Sequence, residues 1–183
     1  MAGCRLLAVV LALCAFTTGC ATSPETQEDR SDLISRARST TYWFEKNVSG
    51  LRLQVNHSAG YIVFPDVAQW GLGIGGGSFG RGVLFSPGGT AMDWAAINTG
   101  SVGLQAGVQG FRMMIVLENQ RELEEFRTGK WNGSATGVAV AGQEGGSGAA
   151  PFQNGVAIYQ GANQGLMAGV NVGLNNIRCE EMD

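Results

Sequence analysis

The chain has 183 residues, 29 of them glycine, with 12 basic residues against 15 acidic, a single histidine and four cysteines. A formal charge of -3 excludes a general nucleic-acid binder, which needs a positive field, and one histidine excludes a histidine-rich metal site. The length fits one domain able to bury roughly 68–70% of its unfolded-chain surface.

Met1 to Gly19 holds one charge, Arg5, and an apolar stretch from Leu6 to Phe16, too short to span a bilayer but suited to a secretory signal. It ends in Thr17-Thr18-Gly19-Cys20. Small residues before a cysteine at the end of such a stretch resemble the lipobox of bacterial lipoproteins, with threonine where an aliphatic residue is usual. The expectation is a signal peptide over 1–19, removed so that Cys20 becomes the acylated, palmitate-bearing first residue. Ala21 after it, rather than aspartate, points to the outer membrane, facing the periplasm. Loss of Arg5 leaves 11 basic against 15 acidic residues, about -4 in charge. Cys4 and Cys14 leave with the signal, so Cys179 has no intrachain partner and disulfides do not stabilise the fold.

Residues 20–30 read as the lipidated cysteine and a polar tether, although Pro24 and the Thr26-Gln27-Glu28-Asp29 capping-box pattern offer helix starts. Taking Leu33 as reference, Ala37, Thr40, Phe44, Val48 and Leu51 fall on one helical stripe, with Ile34 and Thr41 on its shoulder. Gly50 breaks it before a shorter helix to about His57.

Tyr61 to Pro65 reads as a short strand. After it Gly71, Gly73, Gly75 and Gly77 share one parity with Leu72 and Ile74 on the other, and the alternation returns at Gly103–Gln109 and Gly165–Leu174. Each is a half-buried strand whose glycine and amide face must meet water, a close backbone or a ligand. Arg81 to Phe85 and Ala91 to Asn98 flank a Ser86-Pro87-Gly88-Gly89 turn, and Ser101–Gln109 and Phe111–Leu117 extend the sheet. Asn119 caps a helix carrying Leu123 and Phe126 inward and stopped by Gly129. Asn132-Gly133 marks a turn, and strands follow at Thr136–Ala141, Val156–Gln160 and Leu166–Leu174, with a loop over Glu144–Asn154. The fold class is α+β: an N-terminal amphipathic helix packed on a curved, mostly antiparallel glycine-rich sheet, with one further helix.

Chemical motifs mostly fail on context. Gly75 to Gly80 fits G-x-G-x-x-G, with Asp93 near the spacing of a ribose-binding acid, but Arg81–Phe85 continues as strand where a dinucleotide site needs a helix N-terminus. His57 beside Ser58 is sequence adjacency without triad geometry. Glu122, Glu124 and Glu125 read as a solvated helix face. No enzyme activity, cofactor or metal is expected.

Several separated blocks, Ser58–Val67, Gly71–Leu84, Trp94, Gly100–Gln109, Phe126–Trp131 and Gly165–Val170, together resemble the SYLF domain over roughly residues 31–178, giving a SYLF-like domain over 31–183. The resemblance implies lipid binding, since eukaryotic members bind phosphoinositides and bacterial members are described as lipid-binding lipoproteins. The actin binding of a yeast member has no place in a periplasm-facing lipoprotein. Trp94-Ala95-Ala96-Ile97 stands where related domains carry a Trp-Ser-x-Pro-like segment.

The expected function is therefore a non-enzymatic, lipid-binding envelope lipoprotein whose partner is anionic membrane lipid, with no nucleic acid. The alternative is an envelope scaffold turning its glycine and amide face to a protein partner. Cys20 is the lipid anchor. Arg36, Trp43 and Lys46 lie within about 80° on the first helix, where two cations beside an indole suit a headgroup. The alternative packs Trp43 against the sheet. Arg81 is a second candidate.

Overall fold

The computed structural model describes residues 23–130, 148–162 and 177–182. The signal sequence and Cys20, the Asn132-Gly133 turn and the strands expected at Thr136–Ala141 and Leu166–Leu174 lie outside these residues.

Helix α1 spans Gln27–Asn47 and begins within the segment read as tether. The Thr26 hydroxyl accepts the Asp29 N–H at 3.1 Å and donates to the Asp29 carboxylate at 2.6 Å. This closes the first turn, whose Glu28 and Asp29 suit the positive helix end. The stripe Leu33, Ala37, Thr40, Phe44 is buried, and Val48 and Leu51 continue it. Gly50 takes φ +82° and starts the short helix α2, Leu51–Asn56.

The expected separate strands are two long ones, β1 (Gly60–Phe85) and β2 (Ala91–Leu117), paired antiparallel along most of their length around the Ser86–Gly89 turn. The glycine-rich stretches are strand, as their alternation indicates, and they join the expected segments without a break because the ladder uses backbone groups, which glycine supplies as well as any residue. Glycines also let β1 fold back on itself. A side-chain carbon on Gly82 would lie 2.6 Å from the Phe64 ring and from the Val63 carbonyl, and one on Gly80 would lie 2.7 Å from the Asp66 carbonyl. Gly60 meets the Phe85 carbonyl in the same way, at 3.0 Å. These contacts run in reverse order along one strand, so its two ends cross closely, and Tyr61 stacks on Phe85 with ring centroids 5.3 Å apart. At Gly60, Gly80 and Gly82 the strand therefore meets an approaching backbone.

A register shift between Phe64 and Val67 places Pro65 and Asp66 in a bulge opposite Arg112. Helix α3, Gln120–Arg127, is capped by Asn119, whose side chain accepts from Arg121 and Glu122 N–H groups. Gly129, at φ +67°, and Lys130 donate back to Phe126 and Glu125 carbonyls and end it. Strand β3, Val156–Ala162, pairs with Phe111–Leu117 of β2. Strand β4, Ile177–Glu181, which sequence periodicity did not reveal, pairs with Asp93–Ile97. Four strands are thus described, all antiparallel.

Two cores result. Ile62, Phe64, Leu84, Met113, Ile115 and Ile158 pack with Leu123 and Phe126 of α3. On the other side Tyr61, Val63, Phe85, Met114 and Tyr159 pack with Leu33, Ala37 and Phe44 of α1. Alternation along each strand makes both: successive residues face opposite sides, and in Tyr61–Phe64 and Met113–Val116 both sides are apolar.

Candidate functional site

Helix α1 buries one stripe and leaves a flank and an outer face, and the residues expected to form a headgroup site divide between them. Arg36 is held by Asp32 one turn earlier, at 3.0 Å, and by Asp66 in the β1 bulge, at 2.8 Å. Its charge is matched, and it ties the helix to the sheet. Trp43 is half-buried and turns onto the sheet. A side-chain carbon on Gly161 would lie 2.7 Å from its ring, and Phe44 meets it edge-on at 5.1 Å. Lys46 extends over the ring of Tyr42, 5.3 Å from its centroid, and Tyr42 is 61% exposed. Arg81 stands exposed on β1. Arg36, Trp43 and Lys46 therefore have separate engagements: an ion-pair bridge, a packed indole and an exposed cation over an aromatic ring.

The residue that meets Trp43 is one the helical reading did not reach. The Arg112 guanidinium lies over the indole, 4.5 Å from the centroid, and its Nε is buried with no hydrogen-bond partner. The signal was present in the sequence, as the sole charge inside the apolar run Phe111–Leu117. Its neighbour on the helix, however, is set by strand register and packing.

The other candidates have structural engagements. His57 is exposed, and its Nδ1 lies 2.8 Å from the Leu53 carbonyl, to which it donates. The Ser58 hydroxyl donates to the Val55 carbonyl at 2.7 Å, so its proton is directed to the backbone. Gly75–Gly80 lies inside β1, paired with β2. Asp93 is buried beneath Arg127, which donates from Nε at 2.7 Å and from Nη2 at 3.3 Å. The hydrogen bond with Asp93 holds the Arg127 proton more firmly than usual. Burial, followed by the charge of Asp93, pushes the Cys179 thiol up to about 12, far from a nucleophilic thiolate. Glu122 is not solvated as the acidic run suggested: it is 4% exposed and accepts from Arg121 at 2.6 Å. It is packed where a side-chain carbon on Gly155 would lie 2.6 Å from its Cγ.

Tyr42 and Lys46 leave an aromatic ring and a cation at the surface of α1, with Leu53 of α2 64% exposed. On β1, Trp70 and Phe79 are exposed as well, at 43% and 57%. Residues 98–181 match a family model described as Ysc84, Las17-binding protein actin regulator. Of the blocks that carry the sequence resemblance, Gly100–Gln109, Phe126–Trp131 and Gly165–Val170 fall within that match. No curated protein matches the chain.

Proposed function

We propose that this chain, which carries a SYLF (Ysc84) domain match over residues 98–181, is a non-enzymatic lipid-binding lipoprotein of the bacterial envelope. Cys20, acylated after removal of residues 1–19, holds it at the outer membrane facing the periplasm. The folded domain binds anionic lipid on its own account. The observation that carries the reading is the Lys46 ammonium over the exposed ring of Tyr42. An amphipathic ring beside a cation suits the boundary between headgroups and acyl chains. Within the expected set, Lys46 and the exposed Arg81 are the headgroup contacts, Trp43 supports the flank, and Arg36 contributes least because Asp32 and Asp66 already match its charge.

Fractionation and vesicle flotation test this together. Cys20→Ser should leave the membrane fraction or remain unprocessed, because several acyl chains at roughly 0.8 kcal/mol per buried methylene are the anchor. The purified Cys20→Ser protein should still float with phosphatidylglycerol vesicles, less so in high salt and less so with Lys46→Ala added. A mature, unlabelled but membrane-bound Cys20→Ser protein would reject the anchor, and absence of flotation would reject the lipid. A second reading, a scaffold for an envelope protein partner, is favoured by exposed Trp70 and Phe79. It would use the glycine and amide face of the sheet, with Trp70 and Phe79 of β1 as exposed apolar contacts.

A further inference from the structure

We propose that Arg112 is the recognition residue of a phosphoryl-binding site on the flank of α1, taking either a lipid headgroup phosphate or a free phosphate. The proposal rests on the lipid-binding reading and gives it a residue and a chemical group. Its starting point is a charge without a counter-ion. Arg36, Arg121 and Arg127 are each paired with carboxylates, Arg30 donates to the Pro24 carbonyl, and Arg38, Arg52, Arg81 and Arg178 stand in solvent. Arg112 is partly buried, its Nε has no partner, and among the described residues no carboxylate forms an ion pair with it. Asp66, in the bulge opposite Arg112, is turned to Arg36 instead.

A buried Nε–H without an acceptor is costly, and the Trp43 face compensates only in part. The arrangement also fixes the group in place. Gly161 opposite Arg112 in the ladder leaves the space that Trp43 fills, and the indole in turn holds the guanidinium. A planar fork held against an aromatic face keeps its remaining donors for a bidentate partner, and tetrahedral phosphate oxygens match that geometry. Phosphate is favoured over a carboxylate-bearing peptide by the reading on which the site depends; a peptide is one outcome of the test.

The experiment uses the Cys20→Ser protein, uniformly labelled with ¹⁵N. Titration with inorganic phosphate should shift the Arg112 Nε–H resonance saturably, while chloride at equal ionic strength should not. Flotation with phosphatidylglycerol vesicles should fall at least tenfold in affinity for Arg112→Gln. Arg112→Lys should also lose affinity while melting like the parent, because it keeps the charge without the fork. Ligand-free Arg112→Gln should melt no lower than the parent, and phosphate should raise the melting temperature of the parent alone. If Arg112→Gln does not fold, Arg112→Lys decides. A response to inorganic phosphate with unchanged vesicle binding identifies free phosphate as the ligand. Loss of vesicle binding with little response to inorganic phosphate identifies the headgroup. An Nε–H resonance unmoved by phosphate, with Arg112→Lys binding vesicles like the parent, overturns the site, and capture of an acidic peptide in that case assigns it to a protein partner. If no vesicle binds the parent, the lipid reading fails, and the response to inorganic phosphate alone decides the site.

Discussion

Asp93 shows how one buried charge can order several elements. Its carboxylate on β2 receives two hydrogen bonds from Arg127 at the end of α3, and Cys179 on the neighbouring β4 feels the same negative charge. The unfolded thiol ionises near its ordinary value of 9.0, whereas the folded one is held protonated to about 12. Below pH 9 both states keep the proton and the group has no effect. Between about 9 and 12 the unfolded state releases a proton that the folded state retains, so folding stability falls as pH rises. Thermal melts of the parent and Cys179→Ala should therefore diverge above pH 9, with the parent losing melting temperature more steeply. Parallel curves up to pH 11 would mean that the thiol is less buried than this. Tyr61 and Tyr159, also raised by burial, are common to both proteins and cancel in the difference.

At the level of elements, β1 depends on glycine where its own ends cross. Gly82→Val would push a branched side chain into the Phe64 ring and the Val63 carbonyl, each 2.6 Å from the first added carbon. A carbonyl in a paired strand cannot rotate away, so the cost should reach about 3 kcal/mol. Gly88→Ala in the turn is the control. The only atom near its added carbon is the Ser86 hydroxyl at 3.8 Å, and the change should stay within about 0.5 kcal/mol. Denaturant melts that place the two variants together would remove the crossing from the account of the fold. The junction between α1 and α2, Gly50 at φ +82°, follows ordinary left-handed glycine chemistry and is visible as a break in the helical stripe.

At the scale of the whole molecule, the described residues form two cores that share the same strands. Met113 and Ile115 face the α3 side, Met114 and Val116 the α1 side. Neither core can come apart without exposing the other's backing sheet, so unfolding should be a single cooperative transition despite the two apolar clusters. Far-ultraviolet circular dichroism and tryptophan fluorescence should give coincident denaturant curves. Two separated midpoints would show that α1 and its core melt independently.

Much of this was legible locally. The α1 stripe, the Thr26 and Asn119 caps, the Gly50 break and the Gly129 stop each depend on residues within one or two turns, where periodicity and side-chain chemistry act directly. The α+β class followed from the order of such segments. The closing of β1 on itself, the addition of β4 beside Asp93–Ile97 and the meeting of Trp43 with Arg112 depend on residues far apart in the chain. Trp43 and Arg112 are 69 positions apart. Helical geometry could place Arg36, Trp43 and Lys46 on one side of α1, but it could not decide that Asp66 would take Arg36 while the space at Gly161 drew the indole inward. Sequence alone determined which faces had to be buried, because burial follows local alternation. Tertiary structure decided which charges found partners, because that depends on what strand register and packing bring alongside.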